Sequence, residues 1–391
     1  MFAKLSDAAW TKRAGLRALR DALGAENIRW VGGAIRDSLL GTEVNDVDCA
    51  TKLLPDEVIK LCGQADIRTV PTGIEHGTVT AILPDGPVEI TTLRRDVATD
   101  GRRATVAFAD NWEDDAARRD FTINALYAHP DTLDISDYFG GLIDLETRTV
   151  RFIGDARDRI REDHLRILRY FRFQARFGAE LDSEAEEACS ELASTLKGLS
   201  RERVAAELTQ LLSLPDPHPT IARMRKLGVL EEVLPEACPK HIDSLQQLIT
   251  AEQNQAISPD PMRRLAVLLP PIGDVAQAVA ARLRLSRAQR AHLVAVADRK
   301  PEDVSFPRAL AYRENMAIAT DRVLIQGGNV SSLKDWNPPQ LPLKGGEIVE
   351  RGITAGPQVA ATLRKVEDEW IAEGFPERER VLQLLEQLLA T

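Results

Sequence analysis

The sequence predicts an α+β protein in which a mixed sheet with helices forms the N-terminal part and helices alone form the remainder. Short alternating or apolar runs, separated by glycine and proline turns, are confined to the residues before about 148. From Val150 onward the strand pattern almost disappears, and helical spacing recurs between breaks rich in glycine, serine and proline. The length of 391 residues is too great for one typical domain.

Composition indicates an ordinary soluble globular protein, with 44% hydrophobic and 28% charged residues and no long apolar run that predicts a membrane span. The net charge of −10 argues against indiscriminate binding of nucleic acid but does not exclude a local basic surface. The segment from Met1 to Gly24 fits a first helix better than a transit peptide because it carries Asp7 and Asp21. The cysteines are widely spaced, form no CxxC pair and fit a reducing cytoplasm rather than a zinc cluster: Cys49, Cys62, Cys189 and Cys238.

Residues 28 to 51 contain the strongest functional pattern in the chain. The apolar strand Ile28–Val31 runs directly into Gly32-Gly33, and a helix follows from Ala34 to Leu40. A glycine turn at a helix start offers free backbone amides, the positive end of the helix dipole and room for a phosphate to approach. Arg36, one turn into the helix, is placed to add a charge-assisted contact to the same phosphate.

A second short strand is predicted to carry two carboxylates, Asp46 and Asp48. Residues i and i+2 of a strand share a face, so these side chains are expected side by side, while Val47 and Cys49 point toward a core. Adjacent carboxylates repel each other, and Mg²⁺ suits them because it is hard and takes one or two carboxylates plus substrate phosphates. The stretch therefore predicts a triphosphate cradle facing a metal site. A surface Asp-x-Asp turn and an ordinary strand–turn–helix connection are the alternatives.

The residues that follow offer a third carboxylate. Two alternating runs, Gly77–Leu83 and Val88–Leu93, are joined by a Pro-Asp-Gly-Pro turn and predict a hairpin. Glu89 lies on the opposite face of the second strand from Val88 and Ile90, which predicts an acid within reach of the metal pair. A solvated strand face is the alternative for this residue.

Beyond the hairpin the patterns become less regular. Residues 94 to 117 are highly charged and poor in large apolar groups, which predicts a mobile loop beside the site or a solvated excursion without a role. The next stretch, Arg118 to Leu126, has a charged start and then an apolar run with helical spacing. Helices are then predicted at 154–178, 183–196, 200–213 and 217–229, with a mostly helical remainder.

These patterns occur in an order that resembles one family. The sequence contains, in turn, Gly32-Gly33-x-x-Arg36-Asp37, Asp46-x-Asp48, Glu89 to Arg94, Arg118 to Asn124, and Glu162-Asp163-x-x-Arg166. It resembles the class II tRNA nucleotidyltransferases, the CCA-adding enzymes, whose relatives include bacterial poly(A) polymerases. The resemblance spans about residues 25 to 240 at the level of motifs. The part from Glu89 through Arg172, with Thr99-Asp100-Gly101-Arg102, looks most like CCA-adding enzymes.

The resemblance implies a polymerase-β-like nucleotidyltransferase head followed by helical neck, body and tail domains. We predict a catalytic head over residues 1–148, a base-recognising neck over 149–215, a body over 216–300 and a tRNA-binding tail over 301–391. The implied cofactor is Mg²⁺, and the implied substrates are tRNA, CTP and ATP. Neither a membrane nor a protein partner is expected, and the expected location is cytoplasmic.

The same resemblance implies the roles of individual residues. Asp46 and Asp48 would bind the magnesium ions, and Glu89 would complete the acidic cluster. Nucleotide binding is assigned to Gly32, Gly33 and Arg36 at the triphosphate, to Arg119, Asp120 and Asn124 at the ribose and phosphates, and to Asp163, Arg166, Arg169 and Arg172 on a base-reading helix. The sequence departs from many relatives at Arg103-Ala104, where they carry Arg-Pro.

Asp163 and Arg166 have a chemistry that suits base selection. Positions i and i+3 are neighbours on a helix face. An aspartate accepts from the exocyclic amine of cytosine or adenine, and an arginine donates to the adjacent ring nitrogen. Uracil and guanine present an oxygen where that amine would be, so they would be refused. A simple surface ion pair, which contributes roughly 0.2–0.5 kcal/mol, is the alternative.

The predicted function is template-independent addition of C, C and A to the 3′ end of tRNA, with release of pyrophosphate by a two-metal mechanism. A poly(A) polymerase, or an enzyme that adds only CC or only A, would use the same chemistry. A catalytically inactive RNA-binding protein is the remote alternative. Basic residues from Arg282 to Arg290 are predicted to grip tRNA, unless they form the solvated face of an ordinary amphipathic helix.

Overall fold

A computed structural model describes residues 2–100, 103–178 and 180–390, with the backbone alone for 95–100 and 103–107. The chain divides into two compact units, Met1–Val233 and Leu234–Thr391. The first contains the described strands and the second is helical, so the α+β prediction is confirmed. In the described part of the chain, none of the helices has the combination of length and apolarity needed to cross a bilayer.

The first unit contains strands with helices before, between and after them in the sequence. Its described strands are β1 (Ile28–Val31), β2 (Val47–Thr51), β3 (Arg68–Gly73), β4 (Thr78–Leu83), β5 (Gly86–Thr92), β6 (Arg94–Asp100), β7 (Arg103–Phe108), β8 (Leu126–Ala128) and β9 (Ile135–Asp137). Its described helices are α1 (Ala14–Leu23), α2 (Gly33–Leu39), α3 (Pro55–Gln64), α4 (Trp112–Ala117), α5 (Gly141–Thr147), α6 (Ala156–Glu162), α7 (Arg166–Phe177), α8 (Ser183–Glu191), α9 (Arg201–Leu212), α10 (His218–Lys226) and α11 (Val229–Val233).

The sheet places β2 and β5 side by side near its middle. Within the described residues it has seven strands, in the order β3-β4-β5-β2-β1-β8-β9. β2 is antiparallel to β1 and parallel to β5. The parallel pairing is accommodated because the chain travels from β2 to β5 through α3, β3 and β4, a long enough crossover.

Alternation along β2 sends its polar side chain away from the core. Val47 and Cys49 are buried and Asp48 is exposed, as the period of a strand requires. Asp46 is exposed as well, but it lies just before β2, which begins at Val47. The prediction that Asp46 belongs to the strand is therefore wrong by one residue.

Two predicted segments have a different structure. Residues 94–117 are not a loop, because β6 and β7 pair as an antiparallel hairpin, with Arg94 opposite Phe108, and α4 follows. A separate two-stranded ribbon needs no continuous apolar face, so its sequence lacks the pattern of a core strand. Gly101 and Arg102 lie outside the described residues. The apolar run after Arg118 is a short 3-10 turn at Thr122–Asn124 followed by β8, since a short buried run fits either a helix or a strand.

The helical part of the first unit agrees with most of the predicted segments, with one important break. The segment predicted as one helix over 154–178 forms α6 and α7, and Asp163 lies between them in an extended conformation. The other helices fall close to the predicted spacing.

The second unit is built from helices. Those described are α12 (Pro239–Asn254), α13 (Pro261–Val267), α14 (Gly273–Arg282), α15 (Arg287–Ala297), α16 (Pro307–Arg313), α17 (Met316–Ile325), α18 (Gly345–Val349), α19 (Pro357–Ala372) and α20 (Arg378–Leu389). Its C-terminal core packs around Trp370, which is 1% exposed and lies 5.0 Å from Phe375 between ring centroids. Trp370 also donates from Nε1 to the Pro376 carbonyl at 2.8 Å, so its polar atom is satisfied.

Candidate active site

The glycine turn links β1 to α2 in a conformation that favours glycine. Gly32 has φ of +68°, which strains residues that carry a Cβ, and Gly33 is the first residue of α2. A Cβ on Gly32 would lie 3.5 Å from Arg119 Nη1 and 3.5 Å from the Asn124 carbonyl oxygen. The turn therefore lies directly against the segment that carries Arg119 and Asn124.

Three carboxylates gather beside this turn. The parallel register of β2 and β5 places Asp48 opposite Glu89, and Asp46 lies close enough to influence Asp48 electrostatically. All three side chains are exposed. The pKa of Asp48 is raised, first by the reduced hydration of its carboxylate against the protein and then by the negative charge of Glu89, while Arg119 opposes the shift.

This group of carboxylates fits a hard divalent cation. The donors in it are carboxylate oxygens, the ligand type that Mg²⁺ takes in phosphoryl-transfer sites. The raised pKa of Asp48 reports that its negative charge is disfavoured in the protein alone. A cation bound there would remove that penalty, and the same donor set would suit other hard divalent ions.

Arg119 is held in place beside the carboxylates by buried partners. Its Nε donates to the Tyr127 hydroxyl at 2.8 Å and its Nη2 to Asp115 at 3.2 Å. The Tyr127 hydroxyl in turn donates to Asp115 at 2.6 Å. Burial raises the pKa of Asp115, but the charges of Arg119 and Arg118 outweigh it and hold that pKa below its usual range. Asp115 thus stays ionised and fixes a guanidinium between the glycine turn and Asp48.

Arg36 is buried, whereas a residue that binds phosphate through an open side chain would be exposed. Its side chain is 5% exposed, and Nε donates to Asp37 at 2.8 Å while Nη1 donates to the Asn124 side-chain oxygen. The guanidinium carbon lies 5.1 Å from the Phe173 ring centroid and 4.9 Å from that of Phe177. Its Nη2 approaches the turn, 3.7 Å from where a Cβ on Gly33 would be.

Asp120 and Asn124 are joined to α7. Asp120 accepts from Asn124 Nδ2 at 3.0 Å with one oxygen, and from Arg169 Nε at 2.7 Å with the other. Burial raises the pKa of Asp120, and the charge of Arg169 reverses the effect, so the net pKa is lowered. In this arrangement both predicted nucleotide-binding residues contact protein groups.

The predicted pairing of Asp163 with Arg166 on one helix face is wrong. Asp163 precedes α7, and its carboxylate accepts from the Leu165 amide at 3.1 Å and from Arg203 Nη2 at 2.6 Å. Arg166 donates to Glu162 at 2.6 Å, and also to two backbone carbonyls. The reason is that α6 ends at Glu162, so the spacing of i and i+3 does not describe this part of the chain.

The remaining predicted arginines also have acidic partners. Arg172 donates to Glu207 at 2.6 Å, and Arg169 lies 3.7 Å from the same carboxylate in addition to its contact with Asp120. Several residues that hold the predicted ones in place were not predicted from the sequence: Asp37, Asp115, Tyr127, Arg176, Arg203 and Glu207. Asp37 and Arg176 carried a signal, since one follows Arg36 and the other extends the spaced arginines of α7.

In the second unit, one arginine predicted to grip tRNA has an acidic partner, and the tRNA contact itself stays a prediction. The unit also contains another group of possible metal ligands. Arg282 is bound to Glu236 through two contacts of 2.7 Å, so its charge is already paired. Asp260, His292 and Asp321 place ligand atoms within 4.8 Å of one another. Here Arg263 donates to Asp321 at 2.7 Å and His292 pairs with the same carboxylate, which already neutralises it.

Comparison with known proteins gives consistent matches. Residues 28–151 match the family model described as "Poly A polymerase head domain", and residues 178–240 match "Probable RNA and SrmB- binding site of polymerase A". The chain is 36% identical over 384 residues to "CCA tRNA nucleotidyltransferase 1, mitochondrial" of Mus musculus, covering 92% of this chain and 87% of that protein. It is 44% identical over 188 residues to the "CCA-adding enzyme" of Streptococcus pneumoniae, covering 48% and 46%.

A solved structure has the same fold over almost the whole length. The Bacillus stearothermophilus CCA-adding enzyme, solved in complex with CTP, superposes with a TM-score of 0.74 at 25% identity. The alignment covers 97% of this chain and 98% of that one. The shared architecture therefore includes the helical second unit as well as the sheet.

Replacing Asp48 by Asn should raise the stability of the metal-free protein at neutral pH. A carboxyl whose pKa is raised in the fold binds protons more tightly when folded, so its contribution to stability falls as pH rises above the unfolded value of about 3.9. The asparagine removes that loss. Thermal unfolding in EDTA should show a higher midpoint for Asp48→Asn at pH 7 and no gain below about pH 4.

Asp56→Asn is the matched control, since Asp56 is also exposed but lies in the first turn of α3, where a negative charge stabilises the helix. It should give no gain at pH 7. An Asp48→Asn midpoint equal to or below that of the wild type would contradict the electrostatic description of the carboxylates.

Proposed function

The chain belongs to the family of CCA tRNA nucleotidyltransferases, and we propose that its active site adds C, C and A to the 3′ end of tRNA from CTP and ATP. The observation that carries the proposal is the register that aligns Asp48 with Glu89 beside the Gly32-Gly33 turn and Arg119. This arrangement supplies what phosphoryl transfer needs, namely positioning and neutralisation of charge.

Nucleotidyltransferases of this family use divalent metal ions, and we propose Mg²⁺ at Asp46 and Asp48, with Glu89 completing the acidic group. When bound, the metal ions supply charge neutralisation at the phosphates and activation of the RNA 3′-hydroxyl. Arg119, fixed by Asp115 and Tyr127, would hold a phosphate oxygen at the glycine turn. Gly32 and Gly33 would leave room for the triphosphate at the start of α2.

We propose Asp163 as the residue that reads the base. Each carboxylate oxygen has a second lone pair beyond those used by Leu165 and Arg203, so it can accept from the amine of cytosine or adenine. Arg166 is held by Glu162 and backbone carbonyls, so a contact with the ring nitrogen would require one of those bonds to be exchanged. Arg169 and Arg172 would act mainly by fixing α7 through Asp120 and Glu207.

The other assignments are proposals of the same kind. The division into head, neck, body and tail, with tRNA bound along the helical part, follows the family's pattern. A cytoplasmic location stays a prediction, since the mouse relative is named as a mitochondrial protein.

The proposal is tested by extending a tRNA that ends at the discriminator base. CTP alone should give two additions, and CTP with ATP should give one more, while UTP and GTP give none. Asp46→Ala and Asp48→Ala should abolish transfer without unfolding the protein, because the metal ligands are exposed and lie outside the core. A long ladder with ATP alone would identify a poly(A) polymerase, and no extension with any nucleotide would refute the transferase.

Removing the proposed base reader should alter selectivity rather than abolish chemistry. Asp163→Ala deletes the acceptor for the exocyclic amine, so the ratio of CTP to UTP incorporation should fall by on the order of tenfold or more, equivalent to about 1.5–3 kcal/mol for one lost hydrogen bond to a charged group. Single-turnover rates with each nucleotide measure this ratio.

Asp158→Ala provides the control, because Asp158 is an exposed aspartate whose ion pair with Arg161 lies on the surface of α6. It should leave the ratio unchanged. Unaltered selectivity in Asp163→Ala would remove Asp163 from base recognition.

A further inference from the structure

An ion pair joins α2 to α7, and the roles predicted for individual residues from the sequence do not explain it. Arg176 Nη2 contacts Asp37 at 3.0 Å, across 139 residues of sequence, and the other oxygen of Asp37 accepts from Arg36. Asp37 is 8% exposed and Arg36 5%, so the bridge is largely shielded from solvent on the α2 side. We call Arg36, Asp37 and Arg176 the α2–α7 bridge.

The bridge continues as a chain of polar contacts toward the base-reading segment. Arg36 contacts Asn124, Asn124 contacts Asp120, and Asp120 accepts from Arg169 at 2.7 Å. Arg169 and Arg172 then share Glu207 on α9. On the same helix, one turn earlier, Arg203 holds Asp163 at 2.6 Å. Each side chain in this series of contacts is therefore oriented by the next one.

Aromatic packing locks the same junction. Phe173 and Phe177 stack with 13° between their planes and centroids 5.9 Å apart. Arg36 lies over both rings, and Arg176 lies over Phe177 at 5.2 Å. The planar guanidinium of Arg36 thus makes contacts that a lysine ammonium could not reproduce.

The bridge joins the helix that begins at the glycine turn to the helix that follows Asp163. α2 begins at Gly33, so Asp37 belongs to the same short helix as the glycine turn. α7 runs from Arg166 to Phe177, and a helix rises about 1.5 Å per residue, so Arg176 lies about 15 Å along it from Arg166. Arg176 therefore anchors the far end of the helix whose first turn follows Asp163.

We propose that the α2–α7 bridge positions the base-reading segment relative to the glycine turn and carboxylates, and so sets nucleotide selectivity. Arg36 then acts as a positioning residue of the bridge through its contacts with Asp37 and Asn124. The inference rests on the proposed function, because it assigns base reading to the segment around Asp163. If the Arg176–Asp37 ion pair only stabilised the fold, its loss would lower the stability of the protein and leave nucleotide selectivity unchanged.

The test compares Arg176→Gln, Asp37→Asn and the double variant in the full-length protein. Each single variant should lower the ratio of CTP to UTP incorporation by on the order of tenfold, mainly through kcat for CTP, because misplacement by a fraction of an ångström costs rate in a positioned reaction. The double variant should be no worse than Asp37→Asn alone, since that substitution already weakens the contact that Arg176→Gln removes. Arg176→Lys should recover part of the ratio because it keeps a charge near Asp37.

Arg223→Gln is the matched control. Arg223 also pairs with a buried carboxylate on another helix, Glu186, and its side chain is 33% exposed against 34% for Arg176. It should lower the thermal midpoint without changing the selectivity ratio.

Arg36→Lys separates the two roles of Arg36. A phosphate ligand would keep much of its effect as a lysine, giving a wild-type selectivity ratio with a raised KM for CTP. The bridge predicts that Arg36→Lys resembles Arg176→Gln in selectivity. The inference is overturned if Arg176→Gln keeps the wild-type ratio. Failure of the wild type to transfer CTP at all would instead refute the proposed function.

Discussion

The repulsion among Asp46, Asp48 and Glu89 is the constraint on which the rest of the site depends. Parallel pairing of β2 with β5 puts Asp48 and Glu89 at the same level, and the alternation of both strands turns their side chains away from the core. Burial of either carboxylate would be unfavourable in free energy. Both side chains are exposed beside the fixed guanidinium of Arg119. A divalent ion bound there would convert an unfavourable cluster into the point of charge neutralisation that phosphoryl transfer requires.

Around that cluster, buried carboxylates hold arginine side chains in fixed orientations. Asp120 pairs with one arginine, and Asp37, Asp115 and Glu207 each pair with two. Breaking a buried pair leaves an uncompensated charge, which is strongly unfavourable, so these contacts resist rearrangement. Residues that resemble direct nucleotide ligands in sequence are in this structure also the links that fix α7 and the segment around Asp163. Selectivity and chemistry would accordingly be connected through packing and charge, without a shared side chain.

Local patterns predicted the part of the site that local geometry decides. The glycine turn, the start of α2 and the exposed face of β2 follow from backbone conformation and from the period of a strand, and they lie within a residue of the prediction. The hairpin of β6 and β7 was missed because its sequence is highly charged and poor in large apolar groups. The partner of Asp163 was missed because the helix is interrupted between α6 and α7, and because the partner, Arg203, lies 40 residues further along the sequence. Burial of Arg36 likewise depends on Phe173 and Phe177, which only the tertiary fold brings near.

The most direct test of the central claim is to count the metal ions that the carboxylates hold. Electron paramagnetic resonance of free Mn²⁺ measures its binding to the wild type and to Asp48→Asn, with Mg²⁺ added as the competitor. We predict that the wild type binds Mn²⁺, that Mg²⁺ displaces it, and that the variant loses this binding. Equal Mn²⁺ binding by Asp48→Asn, or no displacement by Mg²⁺, would contradict the claim that these carboxylates form the magnesium site.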